Sequence, residues 1–356
     1  MACARFSRVQ EEERVSNKTV NVAVVGATGA VGEKIIRELE AKDFPVKNLK
    51  CLASKRSAGK TVTFKNESIV VEEATPDAFR GVDIALFSAG GSVSKQLVPH
   101  AVEHGAVCVD NTNAFRMDPN VPLVVPEVNS EKIREHQGII SNPNCSTIQM
   151  VVALKPLYDY YGFKRLIVST YQAVSGAGAN AVKELLDQSR AVLNGEPFDP
   201  QQLPVGKLNK HFQMAFNAIP QIDVPDENGY TLEEMKMVRE TKKIFGDESI
   251  QVTATCVRIP VVSGHAESIY VELERDFQLE DVRQQLRDAD GVTLVDDLEQ
   301  QLYPMPIGAE GKRDVFVGRL RRDLANARAL NMWVVSDNLM KGAASNTVQI
   351  AELLVN

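Results

Sequence analysis

The stretch VNVAVVGATGAVGEKIIRELEAKDF, residues 20–44, constrains the chain more than any other. A run of small apolar residues passes straight into a glycine-rich turn. Beyond it, apolar residues recur every three to four positions. That pattern is a buried strand, a tight turn and an amphipathic helix in succession. Gly26, Gly29 and Gly32 form GxxGxxG in place of the commoner GxGxxG. The first permits the tight turn, the second lets the backbone approach a pyrophosphate, and the third lets the helix pack closely on the strand. The N–H groups of Thr28, Gly29, Ala30 and Val31 are then placed to hold the pyrophosphate at a helix N-terminus.

The second strand narrows the cofactor. An NAD site usually carries an acidic residue about 20 positions beyond the glycines, where it accepts the ribose hydroxyls. Here NLKCLA runs into Ser54-Lys55-Arg56-Ser57, which holds no carboxylate. Arg56 and the Ser57 hydroxyl suit a ribose 2′-phosphate, so the expected cofactor is NADP; the plain alternative is a solvated basic loop. The alternation continues through VDIALFSA, a helix over about 94–104, GAVCVDNT, PLVVPEV and GIIS. The fold class read from this order is α/β: a doubly wound parallel, Rossmann-type dinucleotide-binding domain, with functional loops at the C-terminal ends of its strands.

SNPNCSTIQM follows the last of these strands and opens an apolar helix. Cys145 therefore falls at or near the first helical turn, where free N–H groups and the helix dipole favour a thiolate. Cys108 in GAVCVD and Cys256 in TATCVRI sit inside strands and read as structural. Cys145 faces the cofactor crevice and reads as a nucleophile.

Composition excludes several classes. The 356 residues suffice for two domains with real cores. A net charge of −7 argues against a nucleic-acid binder. No apolar run reaches the roughly 18–20 residues that span a bilayer. Five cysteines without CxxC spacing, and histidines without HxxxH or HxH pairing, speak for a reducing compartment and no metal site. Residues 1–18 lack the apolar core of a secretory signal and read as a disordered tail. The expected location is the cytoplasm, or the plastid stroma if that stub derives from a transit peptide, against which Glu11–Glu13 argue.

Beyond a helix at about 146–160 the period changes. KRLIVSTYQAVSGAG, SIQVTATCVRIP, HAESIYVELE, DVFVGRLRRD and NMWVVSD alternate as strands of a mainly antiparallel sheet, covered by helices at about 177–193 and 231–244. The expected division is an NADP-binding domain over 19–145, an α+β catalytic and dimerisation domain over 146–336, and a C-terminal helix over 337–356 that returns to complete the first. Polar residues at strand ends carry the interest. Gln172 precedes Ser175-Gly176, whose small side chains would admit a nicotinamide. Arg258 leaves one strand and His265 enters the next; each also has a structural reading, a buried ion pair or a satisfied core group. Glu234 completes a capping box with Thr231. That leaves Glu233 and Lys236 on one helix face, as ligand groups or as a surface pair worth a few tenths of a kcal/mol. Arg116 in DNTNAFRMD could hold an anion or cap its loop.

Taken in order, GATGAVG, LASKRSAGK, AFRMD, SNPNCST, STYQAVSGAG, TATCVRIPVVSGHAES and SDNLMKGAASNTVQIAE resemble the aspartate-β-semialdehyde dehydrogenase family from about residue 20 to 356. The resemblance implies NADP-dependent, reversible oxidative phosphorylation of L-aspartate 4-semialdehyde, in the route to lysine, threonine, methionine and isoleucine. It implies Cys145 as nucleophile, His265 as acid/base and Gln172 as an orienting group. It further implies that Arg258 and Glu233 clasp the substrate carboxylate and amine, that Arg116 and Lys236 hold phosphate, and that Asn144 lies against substrate. Thr28–Val31, Arg56, Ser57, Ser175, Gly176 and Asn338 would line the NADP site of a homodimer, a tetramer being left open. Thr112-Asn113 departs from the two serines common in the family. The rivals are an N-acetyl-glutamyl-phosphate reductase, whose substrate has no free amine for Glu233, a cysteine hydrolase, and a non-catalytic dinucleotide sensor.

Cofactor choice should follow the basic loop. Losing a charge-assisted contact to the 2′-phosphate in Arg56→Ala should raise the apparent KM for NADP by roughly tenfold to a hundredfold. The apparent KM for NAD should move far less in the same steady-state assay.

Overall fold

A computed structural model of the chain describes residues 19–355, so the tail expected over 1–18 lies outside the described residues. β1 (Val20–Val25) is buried along nearly its whole length, as its unbroken apolar run requires. α1 (Ala30–Ala41) presses Ile35, Ile36 and Leu39 onto it. β2 (Val46–Ala53), β3 (Thr61–Phe64), β4 (Glu67–Glu73), β5 (Ile84–Phe87), α2 (Gly91–Glu103), β6 (Val107–Asp110), α3 (Pro126–Asn129) and β7 (Ile139–Ser141) follow. The sheet order is β3-β4-β2-β1-β5-β6-β7. All pairings are parallel except the β3–β4 hairpin. The chain winds outward from β1 in both directions, which opens a crevice at the C-terminal ends of β1 and β5.

PLVVPEV is not the strand its composition suggests. Pro122 and Pro126 remove two ladder donors, so only Leu123 bridges to Ser141, and Pro126 instead begins the single turn of α3.

α4 (Cys145–Tyr161) leaves β7 and runs into the second half of the molecule, buried without interruption from Ser146 to Leu154. It packs on a six-stranded sheet of order β11-β12-β13-β10-β8-β9. The strands are β8 (Phe163–Gln172), β9 (Gln251–Arg258), β10 (His265–Leu273), β11 (Val292–Leu294), β12 (Val315–Arg322) and β13 (Ala329–Ser336). β10 pairs antiparallel with β8 and β13, and β12 with β13, while β8–β9 and β11–β12 are parallel. α5 (Ala179–Asn194), α6 (Leu232–Phe245), α7 (Leu279–Asp288) and the one-turn α8 (Pro306–Ala309) complete this half. α6 begins at the expected capping box of Thr231 and Glu234. α7 escaped the sequence reading because only a thin stripe, Val282 and Leu286, is buried on an otherwise charged helix.

After β13 a widened helical turn, Met340–Ala344, leads into α9 (Ser345–Val355). Ala344, Val348, Ile350 and Ala351 enter the core of the first sheet. Lys341 holds that segment in place. Its side chain is 1% exposed, and its ammonium meets both Glu127 oxygens at 2.6 and 2.7 Å, Gln349 at 2.8 Å and Asn346 at 3.1 Å. Removing one partner of such a pair strands a buried charge. Lys341→Met should therefore destabilise the protein by about 3–5 kcal/mol in chemical denaturation, and adding Glu127→Gln should recover part of that loss.

Candidate active site

Two elements from opposite halves converge on the start of α4. Asn144 caps the helix, its Oδ1 accepting the N–H groups of Ser146 at 3.0 Å and Thr147 at 3.4 Å. Its own N–H donates to Glu240 of α6 at 2.7 Å, and its Nδ2 donates to Glu233 at 3.1 Å. The other oxygen of Glu240 accepts from Arg116 at 3.0 Å. Arg116 also donates to the carbonyls of Asn142 and Asn111, so three of its five donors are spent inside the protein. Cys145 is the first residue of the helix, as its sequence position implied. Among the four described cysteines it alone is not fully buried.

The second sheet presents one end to this thiol. Gln172 closes β8, Arg258 closes β9 and His265 opens β10, which runs the other way. Pairing of Gln172 with Arg258, and of His265 with Ser336, sets these residues in one row across four strands. Arg258 donates to the Ala173 carbonyl at 2.7 Å. Ala173 N–H donates to His265 Nδ1 at 3.0 Å. A neutral imidazole held that way carries its proton on Nε2. Gly176 closes over both groups: a Cβ there would lie 3.1 Å from Arg258 Nη1 and 3.3 Å from His265 Nε2.

Charge in this site is arranged around Glu233, which is 5% exposed. Burial alone would raise its carboxyl, but Lys236, Arg258 and Asn144 hold it down at about 2. Lys236 donates to Glu233 at 3.0 Å and to Asp223 at 2.9 Å; burial works against its charge, and the two carboxylates hold it well above the ordinary lysine range. Glu233 and Lys236 are thus not the surface pair of the plain sequence reading. Burial, and then Arg258, push His265 down to about 3, so it is a neutral donor at neutral pH.

Burial and Glu233 push the Cys145 thiol up to about 12, against the opposing pull of Arg258, Arg116 and Lys236. The expected resting thiolate is corrected accordingly. The thiol is held protonated because the surrounding protein desolvates it and the Glu233 anion stands nearby.

Arg116, Asn144, Cys145, Gln172, Glu233, Lys236 and Arg258 line a cavity of about 700 Å³ that runs to the glycine turn of α1, while His265 is fully buried behind Gly176 and does not reach its wall. Gly26 has φ +88, and a Cβ on Gly32 would overlap the Gly26 carbonyl, so neither position admits a side chain. Gly29 caps the helix without a side chain, which leaves the N–H groups of Ala30 and Val31 for a phosphate, whereas the Gly29 N–H, expected to join them, donates to the Gly26 carbonyl at 2.9 Å. On the facing wall Asn338 Nδ2 donates to Ser175 Oγ at 3.0 Å, and Gly264 N–H donates to Asn338 Oδ1 at 2.9 Å. Gly29, Ala30, Val31, Ser175, Gly176 and Asn338 all line the cavity. Thr28, Arg56 and Ser57 lie outside its wall. Arg56 and Ser57 form a short turn at the end of β2, one strand from the glycine turn, with Arg56 exposed.

A glycine cradle with no place for a side chain, and a basic turn where an acidic residue would select NAD, fit NADP; together with the two-sheet plan they define a nicotinamide-dependent dehydrogenase. Two family models match in sequence, the NAD binding domain of semialdehyde dehydrogenases over residues 21–136 and their dimerisation domain over 154–341. The aspartate-semialdehyde dehydrogenase of Bacillus subtilis is 60% identical, the match covering 94% of this chain and 97% of that protein. The Aquifex aeolicus counterpart is 54% identical over 94% and 97%. Aspartate semialdehyde dehydrogenase II of Vibrio cholerae, solved with ASA, superposes with a TM-score of 0.90 at 49% identity, covering 95% of this chain and 98% of that one. The NADP-bound Candida albicans structure gives a TM-score of 0.72 at 28% identity, covering 95% and 98%. The chain belongs to the aspartate-semialdehyde dehydrogenase family.

The sequence reading missed Glu240, whose partners lie 124 and 96 residues away, and Asp223, which meets Lys236 from a loop without periodic pattern. Both matter to the cations that line the cavity. The position of Glu233 yields a direct expectation. Removing its charge in Glu233→Gln withdraws a group that raises the Cys145 thiol, so more thiolate exists at pH 7. Alkylation of Cys145 by iodoacetamide should then be faster than in the wild type, and both rates should climb as pH rises toward the thiol's own range.

Proposed function

We propose that Cys145 attacks the aldehyde carbon of L-aspartate 4-semialdehyde, its thiol proton passing to the aldehyde oxygen and leaving to solvent as NADP accepts hydride, and that phosphate releases the product as 4-phospho-L-aspartate and returns the thiol. The observation that carries this reading is the position of Cys145. It is the one partly exposed cysteine among the described residues, at a helix N-terminus inside a cavity that also reaches the dinucleotide cradle.

The chain's own residues divide the work. Arg258, with guanidinium donors beyond the one given to Ala173, grips the substrate carboxylate, and Glu233 receives its amine. Gln172 donates to Glu233 at 3.2 Å and to Thr170 at 3.3 Å, which holds its carboxamide beside the substrate. The cation and the anion together fix the aldehyde over the thiol. His265 presents Nε2–H, which suits it to donate to the substrate oxygen as negative charge grows there. This refines the acid/base role read from the sequence: with Nδ1 occupied by Ala173 N–H, the imidazole acts first as a donor. NADP supplies the hydride acceptor when bound. The thioester left on Cys145 is then opened by phosphate, held by the remaining donors of Arg116 and by Lys236. In the biosynthetic direction each step reverses. The dimerisation domain supports a homodimer.

No helix of the described residues is long and apolar enough to cross a membrane.

The amine-binding role of Glu233 favours this substrate over an N-acylated one. The test combines a variant with a co-substrate. Cys145→Ser should lose turnover by on the order of 10⁴-fold or more, since a hydroxyl is almost wholly protonated where a thiol can ionise, while its NADP dissociation constant stays within about twofold. Wild-type NADPH formation from the semialdehyde should require phosphate or arsenate for repeated turnover. Robust turnover by Cys145→Ser, or turnover indifferent to the oxyanion, would refute the reading.

A further inference from the structure

One polar group behind the thiol has no part in the chemistry so far. Gln149 lies four residues beyond Cys145 on α4, hence on the same helix face one turn deeper. It is fully buried. Its Oε1 accepts from Ser336 Oγ at 2.7 Å, while its Nε2 has no hydrogen-bond partner among the described residues. Ser336 is the residue of β13 paired directly across from His265. The helix that carries the nucleophile is therefore fastened to the sheet at the strand position opposite the imidazole.

Glu267 closes the arrangement. It lies two residues beyond His265 on β10, so both side chains point to the same face of the sheet. It is 0% exposed, and neither carboxyl oxygen has a hydrogen-bond partner among the described residues. The Gln149 carboxamide is the neighbour that favours its ionised form; burial works the other way and holds the carboxyl protonated far above the ordinary range. The register places Thr170 of β8 and Val334 of β13 on either side of Glu267, with Cys256 of β9 beyond Thr170. Cys256 feels Glu233 and Glu234 of α6 as well as Glu267, and Arg258 lies close to Cys256 in turn. The charged groups nearest this row are thus Glu233, Glu234 and Arg258, and none of them bonds to Glu267. Gln149 Nε2 is thus a spare donor, and a protonated Glu267 keeps an acceptor oxygen that could receive it after a small side-chain adjustment.

We propose that Gln149 is a positioning residue: seated between Ser336 and Glu267, its carboxamide fixes the first turn of α4, and with it the Cys145 thiol, relative to His265. The proposal rests on Cys145 being the nucleophile. Its consequence is that three buried side chains, none lining the cavity, set the geometry of attack. A displacement of about an ångström at that distance can cost on the order of a hundredfold in rate. Neutrality of Glu267 is part of the device, because ionising a fully buried carboxyl with no cation bonded to it would force the site to open to water.

The experiment compares Gln149→Leu, Ser336→Ala, Glu267→Leu and Glu267→Gln by steady-state kinetics, NADP binding and thermal melting. Gln149→Leu should lower kcat by roughly tenfold to a hundredfold, with the KM for the semialdehyde and the NADP dissociation constant within about twofold. Ser336→Ala, which removes one donor from a small side chain, should lower kcat in the same sense by a smaller factor and provides the comparison if Gln149→Leu does not fold. Glu267→Gln should restore most of the kcat lost in Glu267→Leu, and should hold its kcat to higher pH than the wild type, in which Glu267 can still ionise. The folding sign is equally definite. A carboxyl raised in the folded state stabilises below its unfolded value and loses that contribution as pH rises toward the folded value, so the melting-temperature advantage of Glu267→Gln should grow with pH. Unchanged kcat in folded Gln149→Leu or in Ser336→Ala would overturn the proposal, as would Glu267→Gln as impaired as Glu267→Leu. Cys145→Ala is the control that separates the two claims: retained turnover there would sink the nucleophile reading itself, whatever Gln149 does.

Discussion

Glu240 is the constraint on which the site depends. One oxygen accepts the N–H of Asn144 at the start of α4, and the other meets Arg116 from the loop after β6. A single buried carboxylate on α6 thus ties together the dinucleotide-binding half, the helix bearing the thiol and the helix bearing Glu233 and Lys236. Because Glu240 neutralises Arg116 and fills part of its donor set, the guanidinium can stay buried and still offer N–H groups to the cavity. Without that tie, an Asn144 cap would define a helix end but not where that end sits between the sheets.

Charge near the thiol is balanced, not simply positive. Burial and Glu233 oppose a thiolate, Arg258, Arg116 and Lys236 favour it, and the opposition is the stronger. A substrate that brings its own amine to Glu233 would offset that anion and shift the balance toward ionisation just where the aldehyde arrives. Reactivity would then be coupled to occupancy, which spares the thiol from stray electrophiles and oxidants. His265 fits the same logic, since a neutral imidazole with Nε2–H adds a donor without adding a charge.

Local features were legible in the sequence because their causes are local. GATGAVG folds as read because Gly26 and Gly32 occupy positions that exclude a Cβ, and Thr231 with Glu234 caps α6 through contacts three residues apart. The strand-end residues Gln172, Arg258 and His265 were found from period-two alternation, and register then brought them into one row. What escaped reading depends on distant partners or on irregular loops. Glu240 meets Arg116 across 124 residues, and Lys236 meets Asp223 from a loop with no periodic pattern. The protonated state of Cys145 could not be read either, since Glu233 reaches it only through the fold. PLVVPEV misled because its branched residues suit a strand while its prolines do not.

The central claim, that Cys145 carries the substrate through the oxidation, is tested most directly by trapping the covalent state. Enzyme mixed with aspartate semialdehyde and NADP, with phosphate omitted, should release a burst of NADPH stoichiometric with subunits. Intact-mass and peptide analysis should then find the acyl group on the peptide that contains Cys145, and added phosphate should discharge it as acyl phosphate. A burst without an adduct, or an adduct on any other residue, would contradict the account.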